Sequence, residues 1–542
     1  MPDKNSKEPK IKIFRNCKIF APHRSGSDPD TLIIAGNKIA KVCHSQNLDY
    51  DFWRQKYPVR EIDLEDRRVL PGFVDSHMHA LFMARDRDKI ACLPPEVESI
   101  ADIKEKIKEK KRELEEGEWI RGWGYDEEKL DEKRSPLRED LDRAAPDHPV
   151  MLIRTCNHIA VLNSEAMRQL GINSKTSEPE GGKIEKDGQG NLTGIFKEKA
   201  MMMLLNDLPD GGIDQRAESL LACSQDLFSL GITTIADSMA EKTPIDYYKI
   251  YRRAVKKGLK HKVILHYKWS ELRHKEKMPD FKLERSSQIH IGGVKVIADG
   301  SVSGLTAWVD PAYLGADQNF GSKLIDREEL RRAAEYARQN SLQLIIHAMG
   351  NKAIEMTVDT LYQHEDWLKN RPSIRLEHAA LPDKKSLDKA ARGDIGIVSQ
   401  PIFPYAEIGS YLKNLGPERT SASYPFKSIL DREIPLAFSS DAPATPWKPP
   451  ADPLAGIKSA VTRKAHEGTV YNAEEGLNIV KSLRLYTESA AKISGLKDVG
   501  RLAEGFQADF IVLNRDILEA DPENIDRIEV EKTYKKGILM HG

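Results

Sequence analysis

Apolar and polar positions alternate in short runs at both ends of this chain, whereas the middle carries longer apolar runs, each followed by a helical repeat. From Ile11 to about Leu70 the pattern predicts short strands separated by turn residues: IKIFRNCKIFA, TLIIAGNKIAKVC around a Gly-Asn turn, and VREIDLEDRRVL. Hairpins of this kind seldom stand alone and need a partner sheet. The far end supplies one, because ADFIVLN (Ala508 to Asn514) and IEVEKTYKKGILM are again strand-like. Residues 1–68 and 490–542 are therefore expected to form one small β-sandwich domain around a central body, residues 69–489.

The central body predicts an α/β fold. Its β-branched runs are VLPGFVDSHMHA from Val69, GITTIADSM, KVILHYKW, VKVIADG, LQLIIHA, IRLEHAA, IGIVSQP and PLAFSSDAP. Segments such as REELRRAAEYARQN, NKAIEMTVDTLYQHEDWLKN and KKSLDKAARG follow with apolar residues at i, i+3 and i+4, the signature of repeated βα units around a parallel sheet. Eight such strands close a (β/α)8 TIM barrel, whose chemistry sits at the carboxyl ends of the strands. One connection is far too long. About 150 residues separate the first run from the second, so an insertion at about 100–225 is expected, placed to wall or cap a substrate site.

Chemistry-bearing residues gather at the ends of these runs. The first reads as a strand of Val69, Leu70, Phe73 and Val74 ending in His77-Met78-His79. Alternation along a strand aims His77 and His79 the same way, with Asp75 on the same face as a second-shell partner. The fourth run offers Lys295, the fifth ends in His347, the sixth in His378 and the eighth in Asp441. Each has an ordinary explanation when taken alone. A lone histidine is commonly a satisfied core residue, Lys295 could pair with Asp299, and Asp441 could be a cap or turn residue. Together, at one barrel face, they suit divalent ions that leave a position open for water. A buried lysine loses its charge readily, and its neutral amine can take up carbon dioxide as a bridging carbamate.

Charge and cysteine usage narrow the class. Lys plus Arg total 83 and Asp plus Glu total 84, a net charge of -1, which gives no case for nucleic acid or an anionic membrane as partner. The five cysteines are scattered and never in CxxC order, so a reducing, cytoplasmic setting fits best. No window approaches the roughly 20 apolar residues that span a bilayer.

The series PGFVDSHMH, VKVIADG, IIHAMGNKAI, IRLEHAAL and FSSDAP, in that order, resembles the amidohydrolase superfamily, in particular the branch of N-substituted formamide deformylases, amidohydrolase family 3. The resemblance extends through LYTESAAKISGLKDVGRLAEGFQADFIVLNRD, similar to the family's return into its β domain. It implies one or two divalent ions, zinc foremost, with His77, His79 and Asp441 on one, His347 and His378 on the other, and Lys295 as a carboxylated bridge. Asp441 would act as general base and then acid in hydrolysing a non-peptide C–N bond of a small N-substituted amide. NHIAVLNSEAM resembles the family's GHxxxxNS segment and LTGIFKEKA its TGxxxE stretch, which makes His158, Asn163 and Glu198 candidates for substrate contact, Asn163 more readily as a cap. Trp123, Tyr125 and Trp308 are candidate aromatic walls. Two positions depart from the pattern: Asn351 stands where relatives carry Asp, and Cys156-Asn157-His158 where they carry DGH. Ester, lactone or cyclic imide hydrolysis on the same site is the alternative, as is a non-catalytic scaffold on this fold. The partner is then a small molecule, with a homodimer through barrel helices as many relatives form.

Overall fold

The computed structural model describes residues 11–542 apart from 88, 94–95, 128–129, 155–158, 208–211, 274–276, 316–317, 446 and 448. They fall into two compact units, Met1–Met83 with Arg216–Gly542, and Ala84–Gln215.

In the first unit eight strands run parallel: β1 (Phe73–Met78), β2 (Ile232–Ala240), β3 (Lys262–Lys268), β4 (Ile289–Ile297), β5 (Gln343–Ala348), β6 (Ile374–His378), β7 (Gly396–Ser399) and β8 (Leu436–Phe438). They lie side by side in chain order. Val, Ile and Leu dominate them because both faces are buried, one by the interior and one by helices. The ring closes at its carboxyl end. There the Asp441 amide donates to His77 O at 2.8 Å, and the His79 amide to Ala442 O at 2.8 Å. The fold is thus an α/β (β/α)8 barrel.

The helices follow the expected stripes. Arg327–Gln339 is capped by Asp326, which accepts from the Glu329 amide, and buries Leu330, Ala333, Ala334 and Ala337. The helix opening at Asn351 stops at Leu361, short of the periodic stretch that predicts it to Asn370. Tertiary bonds hold the remainder out of the helix: the Trp367 and Leu368 amides donate to Ser373 Oγ, and Trp367 Nε1 to Leu342 O.

One expected strand is really two. Val69 and Leu70 end a long strand, Val59–Pro71, that pairs with Phe510–Leu513 in the terminal sheet, and only Phe73 begins the barrel. Gly72 marks the break, since a Cβ there would lie 2.4 Å from Thr233 Cγ2. Four strands from the beginning of the chain and three from its end make that sheet. Phe14 pairs with Ile62 and Phe510 with Pro71, at opposite ends of Val59–Pro71, yet their rings are 5.0 Å apart. The sheet therefore curls over its own core, bending where Glu65 and Asp66 adopt positive φ.

The second unit is a six-stranded sheet. Val150 and Leu152 join one core with the helix Ile100–Lys111, and Met151 and Ile153 join another with Ala166, Met167 and Met201. No helix of the described residues is long and apolar enough to cross a membrane. Cys17, Cys43, Cys92 and Cys223 are buried.

Candidate metal centre

The carboxyl ends of five barrel strands bring six side chains together. His77, His79 and Asp441 can each present one ligand atom such that all lie within 4.8 Å of one another. Asp441 Oδ1 sits 2.8 Å from His79 Nε2 and 3.2 Å from His77 Nε2. Lys295 Nζ is 3.3 Å from His77 Nε2. The rings of His347 and His378 are 4.4 Å apart, and His378 Nδ1 lies 3.9 Å from Asp441 Oδ2.

Local backbone geometry makes this convergence possible. Plain alternation would send Glu377 and His378 to opposite faces of β6. Positive φ at His378 (73°) and Ala379 (45°) turns the chain so that both side chains serve the interior. Asp441, at φ 57°, is turned in the same way.

Three of the four imidazoles, those of His77, His347 and His378, keep one nitrogen occupied by an outer partner and leave the other toward the centre. His77 Nδ1 faces Glu377 Oε2 in a short contact, so Nε2 points at Lys295 and Asp441. His378 Nδ1 donates to Gln400 Oε1 at 2.7 Å, and Gln400 is held by Ser439 at 2.9 Å. His347 Nε2 donates to Gly300 O at 2.9 Å, which frees Nδ1. Metal-binding histidines show this arrangement, in which the outer bond fixes the tautomer. His79 Nδ1 has no hydrogen-bond partner among the described residues. The donor set, neutral imidazoles with a carboxylate and a buried amine, fits a divalent ion.

Burial sets the electrostatics. It lowers the Lys295 amine to about 8, although Glu377 and Asp441 oppose it. Burial disfavours charge on Asp441 too, but His77 and His79 hold its carboxyl well below the usual range. Burial and the Lys295 charge bring His347 down to about 4. Glu377, against the pull of burial, is kept near its lower limit, about 2, by Arg375 and His77.

The structure revises the part expected of Asp75, sets aside the ordinary pairing of Lys295 with Asp299, and adds two residues. Asp75 does not orient an imidazole; it accepts from the Ser440 hydroxyl and from the His77 and Ser440 amides, tying β1 to the end of β8. Glu377 takes that orienting part. Asp299 is no partner of Lys295: its carboxylate accepts from the Trp308, Met349 and Gly350 amides. Arg375, fully buried, donates to Glu377 Oε1 at 2.6 Å and to Ser76 O at 2.8 Å. Arg375 and Glu377 stand inside the IRLEHAA run, where two charges at i, i+2 on an otherwise apolar strand are the available signal.

The remaining candidates lie elsewhere. His158, with the Cys156-Asn157-His158 departure, falls outside the described residues. Trp123 and Glu198 belong to the Ala84–Gln215 unit, Trp123 packed on its core and Glu198 exposed at the last position of a strand. Tyr125 is buried in that unit's other core. Asn163 is a cap, accepting from the Ala166 and Val150 amides and donating to Ala145 O and His148 O. Trp308 lies in the loop after β4, where its carbonyl would meet a Cβ on Gly350 at 2.1 Å. Asn351 exchanges both hydrogen bonds with the Asp310 backbone, donating to its carbonyl at 2.7 Å and accepting from its amide at 3.0 Å. An aspartate could make only the second.

Imidazoles, carboxylates and a buried amine gathered at the mouth of a (β/α)8 barrel define a metal-dependent hydrolase. The model of the amidohydrolase family matches residues 60–541. The Bacillus subtilis (strain 168) protein YtcJ, named as an amidohydrolase, is 32% identical over 513 residues, 91% of this chain and 93% of its own. N-substituted formamide deformylase of Arthrobacter pascens is 27% identical over 542 residues, 97% of each chain. Among solved structures, an uncharacterized metal-dependent hydrolase from Pyrococcus horikoshii OT3 superimposes with a TM-score of 0.74 at 25% identity, covering 95% of this chain and 99% of that one. The chain belongs to the amidohydrolase family.

Proposed function

We propose that this protein hydrolyses the non-peptide carbon–nitrogen bond of a small N-substituted amide, with His77, His79, Lys295, His347, His378 and Asp441 holding one or two divalent ions, zinc foremost. The observation that carries this reading is the convergence of His77, His79 and Asp441 within 4.8 Å of one another, with the Lys295 amine 3.3 Å from His77. A divalent ion held there supplies Lewis acidity toward a carbonyl and acidifies a water molecule.

The protein's own groups do the rest. Lys295, with no carboxylate in ion-pairing distance among the described residues and an amine lowered to about 8 by burial, is suited to form a carbamate. Its nitrogen bonds to the carbon of carbon dioxide, a proton leaves, and an anion replaces the amine. Asp441 takes a proton from the attacking water and returns it to the leaving nitrogen. Phe403 stacks on His378 at 5.8 Å and Phe82 lies 5.6 Å from His79, so apolar surface flanks these imidazoles. The formamide deformylase relative supports an N-substituted amide as substrate.

Elemental analysis of protein purified without a chelating tag, wild type beside Lys295→Ala, tests the centre. About two ions per chain, falling sharply in the variant, and turnover of N-substituted formamides are expected. Turnover of esters, lactones or cyclic imides without amides would reassign the bond. Little metal in either protein would overturn the hydrolase reading and leave the barrel as a scaffold.

A further inference from the structure

The amino ends of β3 and β4, at the end of the barrel away from the metal centre, open onto a cleft of about 410 Å³ completed by residues 495–499 and by Lys535 and Lys536 of the terminal sheet. Six cationic side chains line it, Lys260, Lys262, Arg285, Lys497, Lys535 and Lys536, against one carboxylate, Asp498. The chain as a whole carries a net charge of -1, so this is segregation of charge and not general basicity. Lys535 pairs with Asp509 at 2.6 Å, and Lys262 donates to the Arg285 and Ser287 carbonyls. Lys260, Arg285, Lys497 and Lys536 have no carboxylate partner among the described residues.

The wall behind the cleft is cationic as well. Arg371, only 4% exposed, donates to Ser494 O at 2.9 Å, and its Nε has no partner among the described residues. A Cβ on Gly495 would approach that guanidinium to 2.6 Å, so the glycine lets Arg371 lie directly beneath the backbone that lines the cleft. Buried cations without counter-charges are costly, and an anion relieves them. A second cleft of about 420 Å³ shares Arg285, Gly495 and Lys497 and adds Lys369, Lys492 and Arg501 with one carboxylate, Glu488, which lies 3.6 Å from Arg501, so the cationic surface continues past the first cleft.

We infer that this end of the barrel is a second binding site, for a small anion carrying two or more linked phosphate groups. Such a ligand meets flexible ammonium groups and the Arg285 fork with little competition from carboxylates.

Calorimetric titration of the full-length, metal-loaded protein with sodium tripolyphosphate tests this, beside a Lys497→Glu/Lys536→Glu variant and, separately, Arg285→Gln. Saturable binding that weakens at least about tenfold in the double variant, and weakens in high salt, is expected. A nucleoside triphosphate binding more tightly than tripolyphosphate would identify a nucleotide as the source. Equal affinity would identify the phosphate chain alone. Either agrees with the inference. Binding of equal strength in the wild type and both variants would place the anion elsewhere, the metal centre included, and overturn it, as would the absence of saturable binding in the wild type.

Discussion

Replacing Glu377 by glutamine probes the buried chain that runs from Arg375 through Glu377 to His77. Arg375 and Glu377 are both 0% exposed and 2.6 Å apart, so the substitution leaves a guanidinium buried without a counter-charge. Breaking such a pair costs about 3–5 kcal/mol. The His77 imidazole also loses the carboxylate that fixes its tautomer, which should weaken metal binding about 10–100-fold. The two effects separate in Arg375→Met/Glu377→Gln. With both charges gone, most of the lost stability should return, because apolar replacement of a buried pair is commonly near neutral. Metal affinity should stay low, since the neutral amide of glutamine can accept from His77 Nδ1 but does not restore the carboxylate charge against the imidazole. Thermal unfolding of the metal-free proteins reads the first effect, and chelator competition for the metal reads the second. Unchanged metal affinity in Glu377→Gln would refute the orienting role. A double variant no more stable than the single would refute the charge argument.

Three further outcomes follow from the same geometry. His290 is buried and held well below its ordinary range, first by burial and then by Lys262, Arg371 and Arg285; the unfolded chain therefore binds a proton that the folded one does not. Its contribution to stability is complete above about pH 6.5 and falls by about 1.4 kcal/mol per pH unit below that, so His290→Leu should flatten the acid limb of the melting temperature between pH 7 and 5; an unaltered limb would assign it to other groups. Asn351→Asp turns a donor toward the Asp310 carbonyl into a second acceptor and should cost about 1 kcal/mol, seen as faster limited proteolysis within residues 300–325 while the metal content holds. Gly350→Ala puts a methyl group 2.1 Å from Trp308 O and should lower stability by about 1–3 kcal/mol, and a melting temperature equal to wild type would show that the loop yields freely.

The order and periods of the apolar runs are enough to read the fold, because burial on both faces of a parallel strand demands continuous β-branched residues whatever the neighbours. His77, His79, Lys295, His347, His378 and Asp441 stand out for the same reason, as polar groups at the ends of such runs. Where those side chains point is another matter. Val69 to Val74 reads as one strand, yet a contact between Gly72 and Thr233, distant in the chain, splits it between two sheets. Glu377 and His378 look opposed by alternation and converge only because of the left-handed turn at His378 and Ala379. Arg375 and Glu377 pass for ordinary strand polarity until closure of the ring sets them against Ser76 and His77. The cationic cleft draws Lys260, Arg285, Lys497 and Lys536 from four separate segments. Local pattern decides what must be buried and with what period; which charged groups then meet depends on contacts between segments far apart in the chain, and tertiary structure alone sets those.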